Sequence, residues 1–399
     1  MHHLLRLHAY GWSGPLLRCT ARHDRMTRRL AFLIAAALAV PSTLRAQATD
    51  REVSGDCAQY LPRLGRYEAF VQGEMTRLRI PGLTVGFFKD DCTWVAAFGF
   101  ADLENRVPAS VRSAYRYASV QKSMTALAVL QLAQRGVIDL DAEIQRYVPY
   151  FPRKPWPVTV RQLLGHLGGI PHYVNRAVEQ HITRHMTTRE AVAIFEGFDL
   201  VAEPGTRYSY SSYGYNLLGA AIEGAGGMPY EEYMRTNVWG ALGMSSVRLD
   251  DPVALIPNRV RGYRLQDSTI VNSEFIDVSS RFAAGGTRGT VPDLLRFVRG
   301  VQEARLVSGA NLDLMYTPMM TRDGQPVPYS AGWQIPPVRN RGLLVTNDGG
   351  QQETRTYILN APAQHFGIAF AMNLEADVYG PLILRLYELV LGERLELER

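Results

Sequence analysis

Lysine is nearly missing from this chain. Of 43 basic residues, only Lys89, Lys122 and Lys154 are lysine, and the other 40 are arginine. Arginine stays charged in a protein and cannot act as a base, whereas a lysine amine can once its pKa is lowered. Amine-based proton transfer therefore has three places to reside. Cysteine is scarce too: three thiols in 399 residues exclude a disulfide-stapled scaffold. His166 and His172 lack zinc-ligand spacing, so neither a metal nor a cofactor is expected, and His172, just after a Gly-Gly-Ile turn, reads as a structural or rim residue. There is no internal repeat, low-complexity tract or long linker. The longest apolar run at the N-terminus, Leu30 to Val40, is 11 residues, too short for a permanent membrane span.

What remains has an ordinary globular balance, 46% hydrophobic and 20% charged, with ample material for a core. Residues before Met26 show no usable periodicity, consistent with an upstream start codon. Beyond Met26, Arg28 and Arg29 form a positive segment, Leu30 to Val40 an apolar one, and Ala46-Gln47-Ala48 a small-x-small cleavage site. That order is the layout of a secretory signal peptide. Residues 1–48 are expected to be a leader cleaved after Ala48, leaving an exported protein, periplasmic or secreted. No cysteine follows the cleavage site directly, which argues against a lipid anchor there. The leader carries seven arginines and one acid, Asp24, so the +5 of the whole chain becomes about −1 after cleavage. No basic run survives to recruit nucleic acid. Cys57 and Cys92 remain as a pair, either bonded in an oxidising compartment or buried as free thiols.

The order of elements suggests an α+β fold. A helix is expected over about Tyr60 to Arg77, broken by Pro81-Gly82. Strands follow at Leu83 to Phe88 and Thr93 to Phe98, with Lys89-Asp90-Asp91 as a hairpin turn. From about 119 to 245 the pattern is mostly helical. Strand-like runs return at Leu343 to Asn347, Thr356 to Asn360 and Phe366 to Met372, before a final helix from Gly380 to Leu391. A sheet built from both chain ends (about 58–118 and 285–399) with a mainly helical insertion (about 119–284) accounts for this order over residues 49–399.

Three stretches carry chemistry. Ser119 and Lys122 stand three apart where an apolar helix begins, which puts both on one face. A serine there can be a nucleophile if a neighbouring amine takes its proton; the plainer reading is a capped helix start with a solvated lysine. Tyr208-Ser209-Tyr210-Ser211-Ser212 leads into a second apolar helix, with serines able to cap it. Asn347-Asp348-Gly349-Gly350 closes an apolar strand, where two glycines either make a turn or admit a ligand close to the backbone.

Together these stretches resemble the serine β-lactamase-like superfamily, whose members include class C β-lactamases, D-alanyl-D-alanine carboxypeptidases and esterases. Ser119-Val120-Gln121-Lys122 matches its S-x-x-K box, Tyr210-Ser211-Ser212 its Y-S-N or Y-x-N box, and Asn347-Asp348-Gly349-Gly350 its K-T-G or H-T-G-G box. Connectors such as TVRQLLGHLGGIP (159–171) and AGGTRGTVPDLLRF (284–297) also look familial, and HLGGIPHY is similar to the wording of the mitochondrial serine β-lactamase-like branch. No G-x-S-x-G elbow surrounds Ser119, which disfavours an α/β-hydrolase. The resemblance implies a β-lactamase/transpeptidase-like fold in which Ser119 is acylated, Lys122 and Tyr210 exchange protons, and the N–H groups of Ser119 and Gly350 form an oxyanion hole. It implies substrate contacts from Ser212, Asn347, Asp348 and Gly349, and a small-molecule or peptide substrate.

Two departures bear on the substrate. Ser212 replaces the asparagine that orients a substrate amide, and a hydroxyl has fewer bonding sites. The late-strand box lacks Lys or His and has Asp348 where a hydroxyl is usual, and an acid there repels a substrate carboxylate. The expectation is therefore an exported serine hydrolase acting on esters or peptides rather than β-lactams. The rival is a weakly active or inactive relative acting as a binding or self-assembling scaffold, with a homo-oligomer as its partner.

Overall fold

The computed structural model describes residues 50–173, 183–337 and 343–395. The leader expected over residues 1–48 lies outside them. A nine-stranded antiparallel sheet forms the centre and draws on both ends of the described chain, in agreement with the α+β expectation. Its strands are β1 (Asp50–Ser54), β2 (Gly82–Lys89), β3 (Cys92–Asp102), β4 (Tyr329–Ser330), β5 (Trp333–Gln334), β6 (Val345–Gln351), β7 (Thr354–Ala361) and β8 (Phe366–Met372). Across the sheet they run β1-β3-β2-β8-β7-β6-β5-β4, with Val107–Pro108 added alongside β3. The expected β2–β3 hairpin closes at Lys89 opposite Cys92. β1 precedes the expected start of the sheet.

Strands covered on both faces lose the polar alternation of a half-exposed sheet, and β2 and β8 are buried almost throughout. Their side chains still sort by size. Phe87, Ile368 and Phe370 point into one core, beneath α1 (Leu61–Leu78) and, at the chain's end, the helix Gly380–Leu391. Ala369 and Ala371 point into the other core, toward α2 (Gln121–Gln134) and the helix Val291–Gln302. Small residues on that face let a helix pack close. α1 ends as expected: Arg79 takes a left-handed φ of 57° and its N–H caps the Met75 carbonyl.

One expectation is corrected. The strand expected to end at Asn347 continues to Gln351, so the Asn347–Gly350 segment lies inside β6. Glycine weakens a strand by propensity, but β7 pairs with β6 along its length, setting Asp348 opposite Tyr357 and Gly350 opposite Arg355. Pairing with β7 outweighs local preference.

α2 is buried on every side from Gln121 to Leu132, its polar side chains included. Just before it, the short strand Tyr115–Arg116 pairs with Thr287–Gly289, which also pairs with Arg248–Leu249. A buried charge cluster ties these pieces together. Asp250 accepts from Arg116 Nε at 2.6 Å and from Arg288 Nε at 2.8 Å, and Glu353 accepts from Arg288 Nη2 at 2.6 Å. Burial alone would raise the Asp250 pKa, but the two guanidiniums hold it well below the usual carboxylate range. This cluster anchors the chain three residues before Ser119.

Of the two states left open for Cys57 and Cys92, the structure shows the disulfide, with Cα atoms 4.9 Å apart. It fastens the segment before α1 to the start of β3. Closing a loop with a sequence separation of 35 restricts the unfolded chain by about 4 kcal/mol. Replacing both cysteines by serine is expected to lower stability by about 3–4 kcal/mol, read as a reduced urea midpoint. The oxidised wild type should lose a similar amount when a reductant is added.

Candidate active site

Between Arg116 and α2 the chain makes a 3-10 turn, Ala118–Val120. Ala118 has a left-handed φ of 47°, which costs a residue with a Cβ about 1–2 kcal/mol. The bend leaves Ser119 partly exposed while Ala118 and Val120 are buried. As the turn starts here, the Ser119 N–H belongs to the helix-initiating donors that have no intrahelical acceptor. Lys122 follows on the same face, fully buried, and its Nζ lies 3.0 Å from Ser119 Oγ and 2.9 Å from the Ala284 carbonyl. Burial, with the nearby Arg281 charge, brings the Lys122 amine down to about 7, against a smaller opposing pull from Asp348. An amine in that range is largely neutral above pH 7 and can accept a proton from the hydroxyl it touches.

Tyr210 reaches Ser119 from the other side. Their hydroxyls are hydrogen-bonded, and Lys122 Nζ lies 4.9 Å from the Tyr210 ring centre. Burial holds the phenol well above its ordinary pKa despite the Ser119 hydrogen bond. In the resting site Tyr210 is therefore protonated and available as a proton donor.

The loop that presents Tyr210 is zipped onto residues 166–171. Val201 N–H donates to the Gly169 carbonyl, Gly205 N–H to Leu167 and Ser209 N–H to His166, at 2.7 to 2.9 Å. Two imidazoles then take the next two backbone donors: Ser211 N–H donates to His166 Nδ1 at 3.0 Å and Ser212 N–H to His172 Nδ1 at 3.2 Å. Both rings must be neutral at Nδ1 to accept. Burial, reinforced by the Lys122 charge, pushes His166 far below its usual pKa and His172 down to about 4. The His166 ring also packs 4.4 Å from both Tyr210 and Tyr329. Ser211 Oγ donates to the Pro171 carbonyl and accepts from Gly214 N–H, capping α3 (Ser212–Gly226). The spacing of His166 and His172 argued against zinc ligands and gave His172 a structural or rim place; their part in holding Tyr210 was missed.

β6 supplies the opposite wall. A Cβ at Gly349 would lie 2.4 Å from the Tyr117 carbonyl oxygen and 3.0 Å from Ser119 N, so only glycine lets the strand press against the Ser119 turn. Gly350, one step on, borders the open cleft. Asn347 does not. Expected as a substrate contact, it is 1% exposed and its amide donates to Ser123 Oγ, to the Gly332 carbonyl and to the Ser119 carbonyl. It braces the wall from behind, and Gly349 is likewise buried. Neither of these two expected substrate contacts borders the cleft, because alternate residues of a strand face opposite ways.

The cleft has a volume of about 390 Å³ and is bordered by Ser119, Tyr210, Ser212, Asp348 and Gly350 among the expected residues. It is also bordered by Arg281 and Gln334, which had no motif to announce them. Arg281 is 5% exposed, donates to Gln351 and Gln352 and lies over the Tyr173 ring. A larger cavity of about 720 Å³ lies across the 279–286 segment and contains none of the motif residues. Among the described residues no group of three or more His, Cys, Asp or Glu side chains is placed to hold a metal.

With this geometry in view, comparison with known proteins is decisive at the level of family. A family model described as Beta-lactamase matches residues 67–390. The chain belongs to the beta-lactamase family. This family is of the serine hydrolase and acyltransferase type, and the α+β architecture described above is that of its penicillin-binding relatives. Members similar to this chain include the human "Serine beta-lactamase-like protein LACTB, mitochondrial". That protein is 30% identical over 287 residues, 54% of this chain and 52% of its own length. Penicillin-binding protein 4* of Bacillus subtilis (strain 168) is 26% identical over 318 residues, 75% of this chain and 70% of its own. The chain thus spans about half the length of its mitochondrial relatives. An octameric penicillin-binding protein homologue from Pyrococcus abyssi superposes with a TM-score of 0.72 at 28% identity, covering 83% of this chain and 78% of that one. D-amino acid amidase from Ochrobactrum anthropi SV3, at TM-score 0.71 and 21% identity, shares the fold over 82% of this chain and 99% of its own.

His166 supplies a direct test of how this family member holds Tyr210. His166→Phe keeps a planar ring but leaves the Ser211 N–H without its acceptor, and should lower stability by about 1–3 kcal/mol in urea denaturation. His166→Asn, which keeps an acceptor, should recover part of that loss.

Proposed function

We propose that the mature chain is an exported serine hydrolase that works through an acyl-enzyme on Ser119, with esters or peptides rather than β-lactams as substrates. The observation that carries this reading is the 3.0 Å contact between Ser119 Oγ and a buried lysine amine brought down to about 7. Neutral Lys122 takes the Ser119 proton as Oγ attacks the substrate carbonyl. The resulting oxyanion sits between the N–H groups of Ser119 and Gly350. As the tetrahedral adduct collapses, protonated Tyr210 gives its proton to the leaving group and is reprotonated from Lys122. Water then releases the acyl group by the reverse sequence of proton transfers. No cofactor enters any step.

The bias against β-lactams follows from the wall on β6. Asp348 stands in the cleft and Asn347 is turned away from it, so this strand offers an acid where a substrate carboxylate would rest. Ser212 offers a hydroxyl in place of an amide. Export is supported by the signal-like leader and by the Cys57–Cys92 disulfide, which persists in an oxidising compartment. Among the described residues no helix is long and apolar enough to cross a membrane. The altered late-strand box favours one second reading, a weakly active scaffold that self-assembles, as its octameric structural relative does.

A fluorophosphonate probe separates the two readings. Wild-type protein should be labelled and Ser119→Ala should not; an unlabelled wild type would favour the scaffold. Lys122→Arg, which cannot lose its proton, should lower kcat/KM for a p-nitrophenyl ester by about a hundredfold or more. The sign of the pH dependence follows from the base being the neutral amine. The rate should be low below pH 7 and rise through an apparent pKa near 7, rather than near the ordinary lysine value. Nitrocefin turnover on a par with established β-lactamases would overturn the substrate assignment while leaving the nucleophile in place.

A further inference from the structure

Asp348 is a carboxylate in an uncommon position. It is half-buried on the cleft wall and takes one hydrogen bond, from Gln334 Nε2 at 2.5 Å. Among the described residues no arginine or lysine pairs with it, because the cations around the cleft are engaged elsewhere. Arg355 Nε donates to Asp377 at 2.6 Å and its Nη1 to the Thr354 carbonyl at 3.0 Å. Arg281 is held by Gln351 and Gln352 over the Tyr173 ring. Lys122 is fixed between Ser119 and the Ala284 carbonyl. A half-buried carboxylate with a single neutral donor has acceptor positions left, and a cation brought to it gains a charge-assisted hydrogen bond. Its charge reaches the surroundings: together with burial, the larger effect, it helps push Tyr208 up to about 12.

Register fixes where such a cation would sit. Asp348 and Gly350 are two apart on β6, so their side-chain directions agree and their Cα atoms lie about 6–7 Å apart along the strand. If a reacting carbonyl oxygen rests against the Gly350 N–H, a group bonded to Asp348 lies only a few covalent bonds from the carbonyl carbon. An α- or β-amino group meets that reach. We propose that Asp348 selects acyl groups carrying a protonated amine close to the reacting carbonyl, so that the substrates are aminoacyl esters or amides, including peptides with a free amino terminus. The proposal rests on the acyl-enzyme reading and names its substrate class. Asp348 receives the ammonium, Gln334 holds the carboxylate in place, and a substrate carboxylate is turned away by the same charge.

The test compares the p-nitrophenyl esters of alanine, as both enantiomers, with that of isobutyric acid, in which a methyl group replaces the ammonium at equal size. At pH 7 the better alanine enantiomer should exceed isobutyrate in kcat/KM by about ten- to hundredfold, the range of a charge-assisted hydrogen bond. In Asp348→Asn that ratio should fall to near one, and Asp348→Glu should restore part of it. An alanyl preference absent from the wild type, or one unchanged in Asp348→Asn, would overturn the proposal. Fluorophosphonate labelling of Ser119 run in parallel keeps the two levels apart. A labelled enzyme without an amine preference loses only this inference; an unlabelled wild type loses the acyl-enzyme reading and the inference with it.

Discussion

The rest of the site depends on keeping one lysine amine dry. A charged ammonium resists transfer from water into a protein interior, so a buried lysine either finds an anion or gives up its proton. Lys122 has no carboxylate in contact; it has a hydroxyl and a carbonyl, which suit a neutral amine. Much of the local structure secures that carbonyl. Thr125 donates to the Ala283 carbonyl at 2.7 Å, and Gln121 accepts from Thr287 N–H at 3.0 Å while its amide meets the Phe282 carbonyl. From α3, Asn216 reaches the Ser280 carbonyl at 2.7 Å. The helix that carries the lysine thus also holds the segment that solvates it, and moving either one would let water in.

A second constraint is close approach. The Ser119 turn is squeezed between the Arg116 charge cluster behind and β6 in front, with Thr356 donating to the Tyr117 carbonyl at 2.6 Å. The left-handed Ala118 and the glycine at 349 are the local concessions that permit this. Rigid support of this kind matters in an acyl-transfer site, where an oxyanion is stabilised only if its donors are already in place. The cleft wall is held less tightly: Asp348 has one neutral partner and Arg355 a bond to the exposed Asp377. In this molecule the Ser119–Lys122 pair is locked, and the cleft wall is where the familial pattern has changed.

Much of the sheet was legible because its evidence is local. The apolar runs of β2, β3 and β8 and the final helix appear in the sequence almost at their observed bounds. The three boxes were legible as well, since S-x-x-K and the tyrosine loop each lie within a few residues. What stayed hidden has the opposite character. His166 looked like an idle histidine because its partners, Ser211 N–H and Tyr329, lie 45 and 163 positions away along the chain. Arg281 had no motif and enters the cleft only because α3 and α2 hold its turn. The end of β6 was misplaced because glycine propensity argued for a break that pairing with β7 overrode.

By itself the sequence determined the helix and strand periods, the order of the three boxes and the single lysine positioned to serve a serine. Those features reside in residue types and short spacings, which survive in any conformation of the chain. Only the tertiary structure decided that Cys57 meets Cys92, that Asn347 braces the wall while Asp348 faces the cleft, and that two neutral histidines hold the tyrosine loop. These outcomes turn on which backbone presses against which, and burial, pKa and the direction a side chain faces exist only after distant segments have met.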